Sequence, residues 1–146
     1  MKRIYLIFII IFLMLVLCAC GLGDWHYDLP NGYQIVHVNS RQIVCVEKDS
    51  ADAATSSIIV EAHVSEFCYN DRYIGLKRVD PPDDVQEAID YSNPVYYIVD
   101  MSTKEVYGEM SESEYMSKIK ELKIENLCDW IATNPTPEGA VYPEIF

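Results

Sequence analysis

The sequence is poor in the residues that carry most protein chemistry. It has three histidines, His26, His37 and His63, with no H-E-x-x-H and no pair at helical metal-ligand spacing. Each therefore reads as a strand or loop side chain, not a ligand. Five cysteines form no C-x-x-C, which excludes a zinc ribbon and a thioredoxin-like redox motif. No G-x-S-x-G elbow is present to present a nucleophilic serine. The one acidic cluster, Asp80, Asp83 and Asp84, is interrupted by Pro81 and Pro82 and lacks the EF-hand pattern; it reads as the solvated cap of a short helix. No catalytic residue, cofactor or metal site is expected from these patterns, and the chain does not read as an enzyme.

Basic residues are also scarce. Lys and Arg total 11 against 23 Asp and Glu, a net charge of −12. Nucleic-acid binding rests on Lys and Arg at phosphates, so this balance argues against it. It argues equally against attachment to anionic lipid through a basic cluster.

What the chain does have begins at its N-terminus. Lys2 and Arg3 precede an apolar run over residues 4–17, and Leu17-Cys18-Ala19-Cys20 follows. A charged start, an apolar middle and a small residue at the cut are the parts of a secretory signal peptide. Cys20 directly after Ala19 looks like the bacterial lipobox, in which the new N-terminal Cys receives diacylglycerol and acyl chains of the palmitate kind. Cys18 lacks a small residue before it. A membrane-spanning helix needs about 20 apolar residues, and this run gives way to Gly21, Gly23 and Asp24 before that length. Cys20 is thus the expected lipid-attachment site, and the mature protein is expected on the extracytoplasmic face of the cell membrane. Lys2 and Arg3 leave with the leader, so the mature chain carries nine basic and 23 acidic residues, a balance of −14.

The chain divides into a signal peptide (1–19), Cys20 with a short tether (20–28), one globular domain (29–133) and a proline-containing irregular tail (134–146). Leu29-Pro30-Asn31-Gly32 is a turn signal. In 33–39, Tyr33, Ile35, His37 and Asn39 alternate with Gln34, Val36 and Val38, and 42–47 is a strand of buried type. Residues 58–69 and 72–79 flank Asn70-Asp71 as a second hairpin, and 94–101 with 105–108 form a third. A short helix is expected over 85–91. Ser111 with Glu114 is a capping box that opens the clearest helix, with Tyr115, Ile119 and Leu122 on one stripe. A second short helix is expected over 125–132. Tyr96 and Tyr97 fall on opposite faces of their strand. The class is α+β: an antiparallel meander of about six strands in three hairpins, with one or two C-terminal helices packed on it.

Cys45, Cys68 and Cys128 lie in apolar runs, as small buried hydrophobes do. With Cys20 lipidated their count is odd, so at least one thiol is unpaired; a Cys45–Cys68 disulfide is left open.

The leader, the D-W-H-Y-D-L-P-N-G-Y-Q-I-V of residues 24–36 and the Y-Y-I-V-D…V-Y-G…S-E-S-E-Y of residues 96–115 resemble small uncharacterised lipoproteins of Gram-positive bacteria, a family of unknown function. The resemblance covers most of the mature chain and brings no catalytic residues. The expectation is a non-catalytic binding or shielding module at the envelope, with the membrane as one partner through the lipid and another envelope protein as the second. The competing expectations are a lipid-anchored enzyme whose site is assembled only by folding, and an immunity-type protective lipoprotein.

Overall fold

A computed structural model describes residues 24–48, 56–127 and 129–143. Its class is α+β: two antiparallel sheets and one helix among the described residues. The first sheet holds β1 (Trp25–Asp28), β2 (Tyr33–Asn39), β3 (Gln42–Lys48) and β4 (Ser56–Val60), in that spatial order. The second holds β5 (Val64–Tyr69), β6 (Tyr73–Arg78), β7 (Val95–Asp100), β8 (Glu105–Met110) and β9 (Ile131–Ala132), ordered β8-β7-β6-β5-β9. Helix α1 (Glu112–Leu122) follows β8. No helix among the described residues is long and apolar enough to cross a membrane.

Local chemistry sets the turns. Asn31 and Gly32 adopt φ of 59° and 81° after Pro30, the left-handed values that Asn and Gly tolerate. Asn70 Oδ1 accepts from the amides of Arg72 (2.8 Å) and Tyr73 (2.7 Å), closing the β5–β6 hairpin. The Ser111 amide donates to the Glu114 carboxylate at 2.8 Å and the Glu114 amide to Ser111 Oγ, completing the capping box of α1. Lys123, at φ 57°, ends that helix. All three expected hairpins form, as β2–β3, β5–β6 and β7–β8.

Four expectations are corrected. The tether does not extend to residue 28, because Trp25–Asp28 pairs with β2 and buries Trp25. Residues 58–69 are not one extended run: the chain leaves the first sheet after Val60 and enters the second at Val64. Residues 85–91 form turns and bends, since Asp84 Oδ1 accepts the Gln86 amide (2.9 Å) in a local turn that does not propagate. The described residues of 125–132 are not a helix. Leu127 closes a turn onto the Ile124 carbonyl, and Ile131–Ala132 pairs with Phe67 and Glu66 at the edge of β5. That free sheet edge offered the backbone a partner that a short helix would have had to forgo. Residues 134–143 hold no helix or strand, and Val141 bridges to His26.

The sheets pack face to face. Ile35, Ile43, Cys45 and Val60 of the first meet Val64, Phe67, Ile74, Leu76 and Val99 of the second in one apolar layer. The opposite face of the second sheet, with Cys68, Tyr96 and Ile98, is covered by Tyr115 and Ile119 of α1 and by Leu127. Tyr96 and Tyr97 do take opposite faces: Tyr96 lies against Tyr115, ring centroids 5.0 Å apart, while Tyr97 packs on the inter-sheet layer. Ile98 is fully buried in the outer layer. Ile98→Ala should cost about 2–5 kcal/mol in urea unfolding, whereas exposed Ile58→Ala should change it by less than about 0.5 kcal/mol.

Cys45 is a free thiol buried in the inter-sheet layer, and burial pushes it up to about 12. Cys68 is disulfide-bonded. The Cys45–Cys68 pairing is therefore excluded: the two side chains sit on opposite faces of the second sheet, in different apolar layers. Cys128 and Cys20 lie outside the described residues. Iodoacetamide should label Cys45 only after unfolding and Cys68 only after unfolding with reduction, as mapped by peptide mass spectrometry.

Candidate functional site

The crossover between the sheets creates the site. His37 sits on β2, in register with Trp25 of β1 and Ile43 of β3, on the inward face that Tyr33 and Ile35 share. Its ring stacks on the Trp25 indole, with centroids 5.3 Å apart and planes 13° from parallel. His63 sits on the link from β4 to β5. Its main chain is fixed by two bonds with Val79, amide to carbonyl in each direction at 3.0 Å. Tyr91, from the irregular stretch between β6 and β7, closes over His63 edge-on, 5.9 Å between centroids. Thr133, just past β9, donates to the Val64 and Ser65 carbonyls, which fixes the start of the tail beside His63.

Together these residues enclose a cavity of about 150 Å³, further lined by Ser40, Asn134 and Thr136. No charged side chain lines it. Among the residues around it, Nδ1 of His37 and both ring nitrogens of His63 are themselves buried and make no hydrogen bond of good geometry. A neutral imidazole offers one donor and one acceptor, and leaving such a group unpaired costs roughly 1–3 kcal/mol. His63 is 1% exposed. Burial lowers its pKa; the Arg41 main chain beside the ring offsets part of this, and His37 lowers it further.

Tyr91 and Asn134 also border a larger groove of about 420 Å³. There Lys77 Nζ pairs with Glu66 at 2.8 Å and lies 4.4 Å from the Trp130 ring centroid.

A family model described as "Protein of unknown function (DUF3997)" matches residues 30–130. This chain belongs to that family. No curated protein and no solved structure matches it. The matched span contains His37, His63 and Tyr91 and stops short of Trp25, Thr133 and Asn134, so the family region alone leaves two walls of the cavity out.

The residues singled out from sequence are distributed as follows. Cys20 lies outside the described residues. His37 and His63 come together, while His26 faces away on β1, 3.9 Å from Asp28. Asp80 pairs with Arg78, and Asp83 and Asp84 are exposed, so the acidic cluster does not converge. Among the described residues no three of His, Cys, Asp and Glu converge as a metal site. Trp25, Tyr91 and Thr133 had no signal in the sequence, because each reaches the cavity from a different element.

The depressed pKa of His63 has a defined consequence. The unfolded chain takes up a proton near pH 6.5 that the folded chain resists, so the stability His63 contributes is present above pH 6.5 and is lost as pH falls below it. The other depressed groups, Asp90, Asp100 and Glu114, are carboxylates that titrate lower. Urea midpoints should therefore fall between pH 7 and pH 5, and His63→Phe should flatten that slope.

Proposed function

We propose that this protein is a lipoprotein of the Gram-positive type, anchored through Cys20 on the extracytoplasmic face of the cell membrane, and that its body is a non-catalytic binding module of the envelope. The observation that carries this reading is the Leu17-Cys18-Ala19-Cys20 sequence behind Lys2, Arg3 and an apolar run.

Two further features support it. Trp25 is already buried in β1, so only Gly21, Leu22, Gly23 and Asp24 separate Cys20 from the folded body. Four residues span at most about 14 Å, which keeps the body beside the surface that holds the lipid. The mature charge of −14 repels anionic headgroups, so the body stands off the bilayer and favours a partner with basic patches. Each buried CH₂ of the lipid contributes about 0.8 kcal/mol, enough in two chains for stable attachment.

Processing tests it. Cys20→Ala should accumulate as unprocessed precursor and lose incorporation of labelled palmitate, while Cys18→Ala should be processed normally. Normal processing and labelling of Cys20→Ala would overturn the anchor.

A further inference from the structure

We propose that the groove across the outer face of the second sheet is a binding site for a neutral oligosaccharide, with the Tyr96 hydroxyl on its floor and Tyr91 on its wall. This ligand class rests on the body being a binding module, as proposed above; it is independent of the lipid anchor.

The floor is one cross-strand row. Ala132 of β9 pairs with Glu66 of β5, Glu66 with Lys77 of β6, Lys77 with Tyr96 of β7, and Tyr96 with Met110 of β8. A hollow of about 420 Å³ lies toward the β9 end and another of about 560 Å³ toward the β8 end, and they adjoin along Ser92, Pro94 and Tyr96. The row crosses all five strands of the sheet. Its four inter-strand steps of about 4.8 Å make roughly 19 Å, the length of an extended ligand and not of a compact one. Tyr91 borders the groove from the stretch between β6 and β7, Asn134 marks the β9 end, and Ser111 and Glu112 at the start of α1 mark the β8 end.

Tyr96 lines both hollows. It is 8% exposed, with its ring packed on Tyr115 and Trp130. Its hydroxyl has no hydrogen-bond partner among the described residues, yet it is not sealed in as the ring nitrogens of His63 are, so it opens on the groove. Burial and the Glu112 carboxylate raise its pKa, with Lys77 opposing. It therefore stays a phenol that can donate as well as accept. The tyrosines beside it are satisfied within the protein: Tyr97 donates to Glu109 at 3.0 Å and Tyr107 to Glu105 at 2.7 Å.

The rest of the lining mixes donors, acceptors and apolar surface. Glu66 accepts from Lys77 through one oxygen at 2.8 Å, which leaves the other for a donor. Asn134 is exposed and carries an amide that both donates and accepts. Tyr91, 47% exposed, and Pro94 supply apolar surface. A sugar chain meets these needs together, because its hydroxyls donate and accept while its ring C–H faces are apolar. The cations at the groove are already paired, Lys77 with Glu66, and Arg78 with Asp80 and Glu109. An anionic chain would therefore meet Glu66, Glu109 and Glu112 without a free counter-charge. An extended peptide fits less well: the floor is a row of side chains across strands, with no strand edge along it for main-chain pairing.

The test uses the full-length chain, isotopically labelled at tyrosine, in a zwitterionic detergent without a sugar headgroup. The probes are cellotetraose and N-acetylated chitotetraose, both neutral. The ring resonances of Tyr96 and Tyr91 should shift saturably with at least one of them, with half-saturation at or below about 1 mM. Those of Tyr33, buried between the sheets, should stay fixed. Tetragalacturonate, a chain of similar length but anionic, should bind at least about tenfold more weakly. Tyr96→Phe keeps the ring and removes only the hydroxyl; it should weaken binding about fivefold. Tyr91→Ala alters an exposed side chain, so it keeps the test open should Tyr96→Phe disturb the packing; it should weaken binding about tenfold. Absence of a saturable shift with either neutral probe, an equal response to tetragalacturonate, unchanged affinity in Tyr96→Phe or Tyr91→Ala, or tighter binding of tetralysine, the basic-peptide case, would each overturn the proposal. A probe recovered cleaved would overturn the non-catalytic reading of the body and still support the groove as a saccharide site. The outcome does not depend on Cys20, so Cys20→Ala can fail or pass its own assay without changing the result.

Discussion

The single apolar layer between the two sheets is the constraint on which the rest depends. Each sheet turns toward the other a face that cannot meet water: Ile35, Ile43 and Cys45 on the first, Phe67, Ile74 and Leu76 on the second. Burying both against each other is the dominant favourable term available to a domain of this size. The polar links between the sheets are few and mostly at the rim. Tyr27 and Tyr69 share a hydroxyl contact at 3.2 Å, Asn31 donates to the Asp71 carbonyl at 3.0 Å, and Lys104 meets Glu47 at 2.7 Å. Exposed pairs of that kind contribute about 0–1 kcal/mol each, so they set alignment more than they hold the layers together. The second sheet has a harder role, because it is apolar on both faces. Its outer face is covered by α1 and the segment around Leu127, which is why the only α-helix among the described residues lies where it does.

Much of this was legible along the chain because local chemistry and period agree. Asn31-Gly32, Asn70 and Ser111 with Glu114 each have a side chain suited to the turn or cap they occupy, and each behaves accordingly. Alternation on β7 placed Tyr96 and Tyr97 on opposite faces before any partner was known. The failures share one cause: in each the deciding partner is distant in sequence. Residues 125–132 have enough apolar content for a helix, but the open edge of β5, more than sixty residues earlier, pairs with Ile131 and Ala132. Residues 24–28 carry too little pattern to be read as a strand; their place is set by β2, to which they pair through four residues. The break at residues 61–63 leaves no local mark, since both flanks are equally apolar.

The cavity was the least legible feature for the same reason, in stronger form. His37 and His63 belong to different elements, neither has a motif around it, and each on its own reads as an ordinary strand or loop residue. Only the crossover from one sheet to the other turns His63 toward the face that His37 shares with Trp25. No period or spacing in the sequence encodes that meeting.

The proposed anchor and the cavity meet in β1. This strand is the first ordered element after Cys20 among the described residues, and its Trp25 is both a core residue and the platform for His37. Its Tyr27 reaches across to Phe67 at 4.9 Å between centroids, linking the first sheet to the second. A body held by four residues of tether would therefore be held at the strand that forms one wall of the cavity. The short tether limits how far that wall can turn from the membrane surface, while the acidic body resists lying flat on anionic lipid. The two effects oppose each other over a distance of about a Debye length, ~8 Å at physiological salt, so the separation of body and bilayer should respond to ionic strength. Tyr91 borders the cavity from residues 80–94, a stretch with no helix or strand to stiffen it. The fold thus pairs a fixed wall, built on a strand and a stacked indole, with a cover carried by an irregular segment.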